Sequence, residues 1–440
     1  MNIGLPQPEI VRSDTRRVVN LNLPEPVVIV STLFAFGGVV TSAWKLTAVS
    51  ALILIIIGFA RGWAKVSLSR VELSREVAQH RLYVGETTSL ELILENRKTL
   101  PLPWLRVDFS LPDGLAISSG AEFGSTRSNY EFTQSFFETF SVGSRERVRA
   151  ERPLLAARRG SYRLGAAHLQ SGDLFGFYET QATTATHAQE IIVFPSPRAL
   201  PGFRLPDQTP DGVGLGRSLL HEDSSRPAGT RPYQPSDPVK RMDWKTTARR
   251  QQPMVRLFDP SRGHRVMVAL DARTLDDNWR YKMQLLEAAV AAAVSVSVFC
   301  VDRGHQVGFV TNGAPPTAGP PLLLPATGTA QLDAIMLALV RVQANQSTTL
   351  ANVFDEHARP RLGGTTVREL TLVYVTAHLD GQAGDWLLRL RAGGASVMVV
   401  YVGEQSDTEA RVGDIAVFDY REIFADAGQV VRPDPTVLHA

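Results

Sequence analysis

An α/β fold is predicted, with an N-terminal transmembrane helical hairpin, a β-sandwich-like middle module and a doubly wound C-terminal domain. Three changes of hydrophobic pattern along the 440 residues predict it. Residues 27–60 carry one charge, Lys45, in a run rich in Val, Ile, Leu, Phe and Ala. From Leu90 the apolar positions alternate with period two, as strands do. From Arg265 onward, short unbroken apolar runs alternate with helical stretches. Hydrophobic residues make up 44% and charged residues 20%, a balance that supports packed cores and excludes a disordered, collagen-like or coiled-coil chain. Lys and Arg number 46 against 44 Asp and Glu, so a net charge of +2 gives no global reason to expect a nucleic-acid partner. Cys300 is the single cysteine, which excludes an internal disulfide and every zinc motif that needs a Cys pair.

Read as one helix, residues 27–60 would extend about 51 Å, well beyond the roughly 30 Å of bilayer hydrocarbon. A break at Trp44-Lys45 resolves the excess and predicts a two-helix membrane hairpin over 27–63, with spans at 27–43 and 46–63. Arg12, Arg16 and Arg17 precede the hairpin, Arg61, Lys65, Arg70 and Arg75 follow it, and only Lys45 lies in the turn. Positive residues favour the cytoplasmic side, so residues 1–26 read as a flexible cytoplasmic tail and both soluble domains as cytoplasmic. A cleaved signal peptide and a buried helical hairpin compete with this reading. The first fits poorly, because 26 residues precede the apolar run and Trp44-Lys45 follows it in place of a small-residue cleavage site.

Residues 65–197 predict the β-sandwich-like module. Leu90, Leu92 and Leu94, then Leu105, Val107 and Phe109, mark half-buried strands, with 190–194 as the last one. Turn signals recur at Val84-Gly85-Glu86, Pro112-Asp113-Gly114, Arg159-Gly160 and Gly172-Asp173. No His, Asp and Glu constellation with catalytic or metal spacing appears there, which favours binding or spacing over catalysis.

Residues 198–262 open with a Pro-, Gly- and Asp-rich stretch that reads as a linker or exposed loop. Between Arg226 and Arg265 stand ten Lys or Arg and three Asp. The bland reading is a solvated basic face. The sharper one assigns partner binding to Arg231, Lys240, Arg241, Lys245, Arg249 and Arg250, with Tyr233, Asp237, Asp243 and Trp244 as a structural set. In it Trp244 and Tyr233 are buried and the two carboxylates orient neighbouring Arg forks.

Residues 263–440 predict the doubly wound domain. Arg265-Val-Met-Val-Ala-Leu-Asp271 reads as a buried parallel strand that delivers Asp271 to the carboxyl edge of the sheet, where ligands of such sheets bind. Helices are predicted at 281–300, 330–343, 350–357 and 386–391, and strands at 305–311, 370–376 and 396–402. The phosphate loop, the dinucleotide fingerprint and the Gly-x-Ser-x-Gly elbow are all missing from the sequence, so no cofactor is expected.

The stretch Arg231-Pro-Tyr-Gln-Pro-Ser-Asp237-Pro-Val-Lys-Arg-Met-Asp243-Trp-Lys-Thr-Thr-Ala-Arg249 resembles the signature of the bacterial and archaeal family called domain of unknown function 58. Arg158-Arg-Gly-Ser-Tyr-Arg163, Ser171-Gly-Asp-Leu-Phe-Gly-Phe177 and Ile192-Val-Phe-Pro195 are similar to it as well. The resemblance implies a membrane hairpin, a β-rich module, a von Willebrand factor A-like domain at 263–440 and a MoxR-type AAA+ ATPase as partner. Domains of that type often hold a divalent cation through Asp-x-Ser-x-Ser, a loop Thr and a later Asp. Here Asp271-Ala-Arg273-Thr-Leu275 lacks both serines and Ala377-His378 stands where the later acid belongs, so Asp271 and Thr349 (or Thr348) read as remnants of a degenerate metal site. Asp271 is free to pair with Arg273 or to cap a helix. The expectation is a membrane-anchored interaction or adaptor protein, not an enzyme, working with the ATPase in chaperone-like remodelling or assembly. A metal-dependent or hydrolytic enzyme acting at the strand ends, and an exported adhesion-type module, are the competing readings.

Overall fold

In a computed structural model, the described residues are 19–21, 25–117, 123–124, 133–184, 190–206, 222–234, 242–260, 264–275, 281–313, 321–344, 348–362, 370–404 and 412–421. The chain divides by its contacts into two units, Met1–Phe194 and Pro195–Ala440.

The first unit begins with strand β1 (Val19–Leu21) and helices α1 (Glu25–Val40) and α2 (Trp44–Ser67). Strands β2 (Val71–Val77), β3 (Arg81–Tyr83), β4 (Thr87–Asn96), β5 (Leu102–Pro112), β6 (Leu115–Ile117), β7 (Phe123–Gly124) and β8 (Thr133–Val142) follow. After them come β9 (Arg147–Ala156), β10 (Gly160–Arg163), β11 (Ala167–Gly172), β12 (Tyr178–Thr183) and β13 (Glu190–Phe194). One sheet runs β1-β12-β11-β5-β8-β7, a second β2-β4-β9-β6, and a third β10-β13-β3. Period-two alternation explains the layering. Val71, Leu73 and Val77 of β2 point to the same core as Leu105, Val107 and Phe109 of β5 in the other large sheet. The predicted antiparallel pattern holds except where β13 pairs parallel to β3.

Both N-terminal helices are apolar, and their exposed side chains include Leu33, Phe36, Val39, Leu52, Ile55 and Phe59. Only α2, at 24 residues, has the length and composition to cross a membrane; α1 has 16. The helices meet closely at their turn: a Cβ on Gly38 would lie 2.5 Å from Thr47 Oγ1 and 2.9 Å from Thr47 N, so only glycine fits. α2 continues past the predicted end at Trp63, because its last turns rest on the sheet. Ile57, Ala60 and Ala64 pack with Tyr178, and Thr180 Oγ1 donates to the Ala64 carbonyl at 2.8 Å. Buried Lys98 donates to the Ser67 carbonyl, a cation at a helix C-terminus. The tail prediction for 1–26 is corrected at 19–21, which β12 recruits as an edge strand. The rest of that tail, apart from Glu25 and Pro26, lies outside the described residues.

The second unit holds β14 (Glu222–Pro232), α3 (Trp244–Arg250), β15 (Met254–Pro260), β16 (Arg265–Leu270), α4 (Met283–Asp302), β17 (Gln306–Thr311) and β18 (Leu322–Ala326). Then follow α5 (Thr329–Val340), α6 (Leu350–Val353), a π-helical turn (Phe354–Ala358), α7 (Arg359–Leu362), β19 (Leu370–Thr376), α8 (Gly381–Ala392), β20 (Ser396–Tyr401) and β21 (Ala416–Asp419). The sheet order is β18-β17-β16-β19-β20-β21, parallel throughout except for β18, which runs antiparallel along β17. Strand order reverses between β16 and β19, the switch point of a doubly wound sheet. α4 also has the length and composition of a membrane span, but Ala289, Val290, Ala292, Val294 and Val296 are fully buried, so it is a core helix of this unit. Parts of the predicted linker pack on the same unit. Phe203 sits edge-on to Phe299 and Phe418 at 4.9 and 5.1 Å, and the Arg198 amide donates to Ser295 Oγ.

Candidate functional site

β16 ends at Leu270 and places Asp271, fully buried, at the carboxyl edge of the sheet beside the switch point. A buried carboxylate requires hydrogen-bond donors or a counter-charge. Asp271 has both. Arg273 Nη2 donates to Oδ2 at 2.9 Å and Nε lies 3.2 and 3.3 Å from the two oxygens, a fork geometry that a lysine cannot supply. Tyr374, carried by the wholly buried β19, donates its hydroxyl to Oδ2 at 2.6 Å. Asn312, just past β17, donates to Oδ1 at 2.9 Å, and the Arg273 amide reaches the same oxygen at 3.1 Å. Three strand ends therefore converge on one carboxylate.

The network extends outward through Arg273 Nη1, which donates to Asp380 Oδ2 at 2.9 Å. Asp380 is the N-cap of α8 and accepts from the Ala383 amide at 2.7 Å. Burial opposes its ionisation, but the Ala383 amide and the Arg273 charge hold its carboxyl below the usual carboxylate range. Burial, reinforced by the Asp271 charge, pushes the Tyr374 hydroxyl well above its ordinary value. Burial also opposes the charge on Arg273, yet Asp271 more than offsets it and keeps the guanidinium protonated. Thr349 caps α6 by accepting from the Asn352 amide at 3.3 Å, and the Thr348 carbonyl accepts from Asn312 at 2.9 Å. A cavity of about 210 Å³ opens here, lined by Arg273, Thr349, Asn352, Asp380, Gln382 and Trp386 among others. Trp386 is buried against Phe354 and Tyr374, and its Nε1 has no hydrogen-bond partner among the described residues.

Of the two residues that the resemblance links to a cation, Thr349 lines the cavity together with Arg273, and Asp271 is bonded to Arg273 and does not line it. The donor set does not fit a divalent ion. Arg273 stands where an oxygen ligand would be needed, and its guanidinium already occupies the Asp271 oxygens. Ala377-His378 occupies the place where the resemblance expects a later acid; the acid that joins the network is Asp380. Asn312, Tyr374, Asp380 and Trp386 were all missed. A signal existed for Tyr374, since a phenol inside an apolar strand must find a partner.

The signature segment lies elsewhere in the unit. β14 and β15 form a two-stranded antiparallel sheet in which Arg231 pairs with Val255 and Pro232 with Met254. The Tyr233 amide donates to the Pro253 carbonyl, and the Tyr233 side chain is half-buried. Asp243 caps α3, accepting from the Lys245 and Thr246 amides at 3.1 Å. Thr247 Oγ1 accepts from the Met254 amide, tying the helix to β15. The expectation that Trp244 is buried is corrected: it is 64% exposed, because as the first residue of a short helix with no buried side chain it points to solvent. Lys245, Arg249 and Arg250 are exposed beside it. Asp237, Lys240 and Arg241 lie outside the described residues.

Fold and site together define a two-unit α/β protein that joins a β-rich unit with an apolar helical hairpin to a doubly wound unit with an ion-pair network at its switch point. Residues 229–424 match the family described as "Protein of unknown function DUF58". The chain is 25% identical over 343 residues to the uncharacterized protein YeaD of Bacillus subtilis, covering 78% of each chain. It is 29% identical over 219 residues to the uncharacterized protein Rv1480 of Mycobacterium tuberculosis, covering 48% of this chain and 65% of that one. Among solved structures, a cohesin module from Clostridium perfringens aligns with 28% of this chain and 96% of its own at 10% identity, with a TM-score of 0.20.

Proposed function

We propose that the protein is a membrane-anchored cytoplasmic interaction protein that recruits a MoxR-type AAA+ ATPase or its client, and that it is not itself an enzyme. The observation that carries this reading is α3. A helix fixed by an Asp243 cap and a Thr247 bond, with no buried side chain, presents Trp244 beside the exposed cations Lys245, Arg249 and Arg250 inside the family-matching segment. Rigid aromatic and Arg side chains of that kind anchor protein interfaces. The strand order and the antiparallel edge strand β18 support a von Willebrand factor A-like assignment for the second unit. The switch-point network supports a non-catalytic role. Both Asp271 oxygens are engaged and Tyr374 is held protonated, so neither is poised as base or nucleophile. The exposed apolar side chains of α1 and α2 support the membrane anchor. The partner follows from the family resemblance. Pull-down of the detergent-solubilised protein from its native host tests the proposal: the eluate should contain the ATPase, and its absence under conditions that retain the full-length protein would remove the partnership.

A further inference from the structure

The turn that joins β11 to β12 presents two large apolar side chains outward: Leu174 is 54% and Phe175 53% exposed. The turn is built to hold them there. Asp173, almost fully buried, accepts from the Phe175 amide at 2.8 Å through one oxygen and from the Tyr178 amide at 2.7 Å through the other. Trp104 Nε1 donates to the Asp173 carbonyl, and a Cβ on Gly172 would lie 2.2 Å from the Tyr178 carbonyl oxygen. Gly176 takes a φ of 72°, the left-handed region that glycine enters without strain. An ordered turn that exposes Leu and Phe marks an interaction surface rather than a solvated loop.

Its position within the first unit says what covers it. Phe175 stacks on Phe177 with ring centroids 5.6 Å apart, and Phe177 packs against the cluster of Ile57, Ala60 and Ala64 from α2 with Tyr178. The turn therefore stands beside the part of α2 that begins at Ile57. If the bilayer ended before Ile57, the helix from Trp44 would offer only about 20 Å of apolar length, against roughly 30 Å of hydrocarbon. Carrying the span on to Trp63 restores about 30 Å. The turn then lies at the depth of the leaflet interface. We propose that Leu174 and Phe175 are seated in the lipid bilayer, as a third membrane contact that fixes the β-rich unit on the membrane surface. The inference rests on the reading of α2 as a membrane span.

The test uses the full chain reconstituted in phosphatidylcholine–phosphatidylglycerol nanodiscs, with an environment-sensitive fluorophore on a Phe175→Cys or, separately, a Leu174→Cys variant. Both positions are exposed, so neither change opens the core. Cys300 is left in place, since it is fully buried and burial pushes its thiol up to about 12. Ile53→Cys in α2 and Arg149→Cys on exposed β9 serve as lipid and water references. The expected result is loss of emission at 53, 174 and 175 when the acyl chains are brominated, with 149 quenched only by aqueous iodide. Quenching at 53 with 174 and 175 behaving like 149 would overturn the inference while leaving the anchor intact. Labels at 174 and 175 shielded from both quenchers would overturn it too, in favour of a covering protein. No lipid quenching at 53 would remove the membrane reading itself and the inference with it.

Discussion

Asp271 is neutralised by a side chain two residues away, and that choice sets the character of the sheet edge. Removing one partner of a buried ion pair strands the other, which typically costs about 3–5 kcal/mol. Arg273→Ala should destabilise the second unit by about that amount, with Arg273→Lys costing less because it keeps the charge and loses the fork. Tyr374→Phe deletes one hydrogen bond to the same carboxylate and should cost about 1.5–3 kcal/mol. Denaturant unfolding of the full chain in detergent measures all three; an Arg273→Ala variant within about 0.5 kcal/mol of the parent would contradict the network's role. His305 supplies a pH signature. Burial, with His264 and Arg303 nearby, lowers its pKa below the ordinary value, so the unfolded chain takes up the proton first on acidification. Stability should be intact above about pH 6.5 and fall as the pH drops through that value toward the folded pKa. The unfolding midpoint of the parent should therefore drop between pH of about 7.5 and 5.5 by more than that of His305→Gln.

At the scale of elements, α3 has a surface role. Trp244→Ala should leave the melting temperature nearly unchanged, since a side chain 64% exposed loses little packing. The same change should weaken capture of the ATPase, as should Lys245→Glu combined with Arg249→Glu on one helical face. A fall in melting temperature with Trp244→Ala would return the residue to a structural role, and capture untouched by both variants would make the basic face merely solvated. The loop after β17 is the opposite case. A Cβ on Gly313 would lie 2.7 Å from both the Gln343 carbonyl oxygen and Ala272 Cβ, so Gly313→Ala should displace the loop that aims Asn312 at Asp271 and lower stability by about 1–3 kcal/mol. Legibility follows the same division. β19 was readable to the residue because seven consecutive side chains are buried, whereas β18 includes Pro325 and a mixed burial pattern and β21 is only four residues long. Nothing in local spacing reveals that Asn312 and Tyr374, 41 and 103 residues away, meet at Asp271. The facing of Trp244 was equally hidden, since sequence gives an aromatic residue but not the side of a short helix on which it lies.

For the whole molecule, the hairpin was legible from hydropathy alone, while the docking of its second helix on β11 and β12 was not. That docking joins α2 to a folded β unit through Thr180, Tyr178 and Lys98, so α2 and the β-rich unit form one mechanical piece. Of the charges that flank the hairpin, one is structural: Arg75 is buried in β2, donates to the Gly165 carbonyl at 2.7 Å and lies over the Phe109 ring. Arg61, Lys65 and Arg70 remain as the flanking cations after α2's apolar run, against Lys45 alone in the turn. The proposed function requires both units to face the cytoplasm, where an ATPase can reach α3. Reporter fusions placed after Pro197 and at Ala440 measure this directly. Activity is expected at both points from a reporter that works only in the cytoplasm and none from one that requires export; export-dependent activity at either point would contradict the cytoplasmic placement.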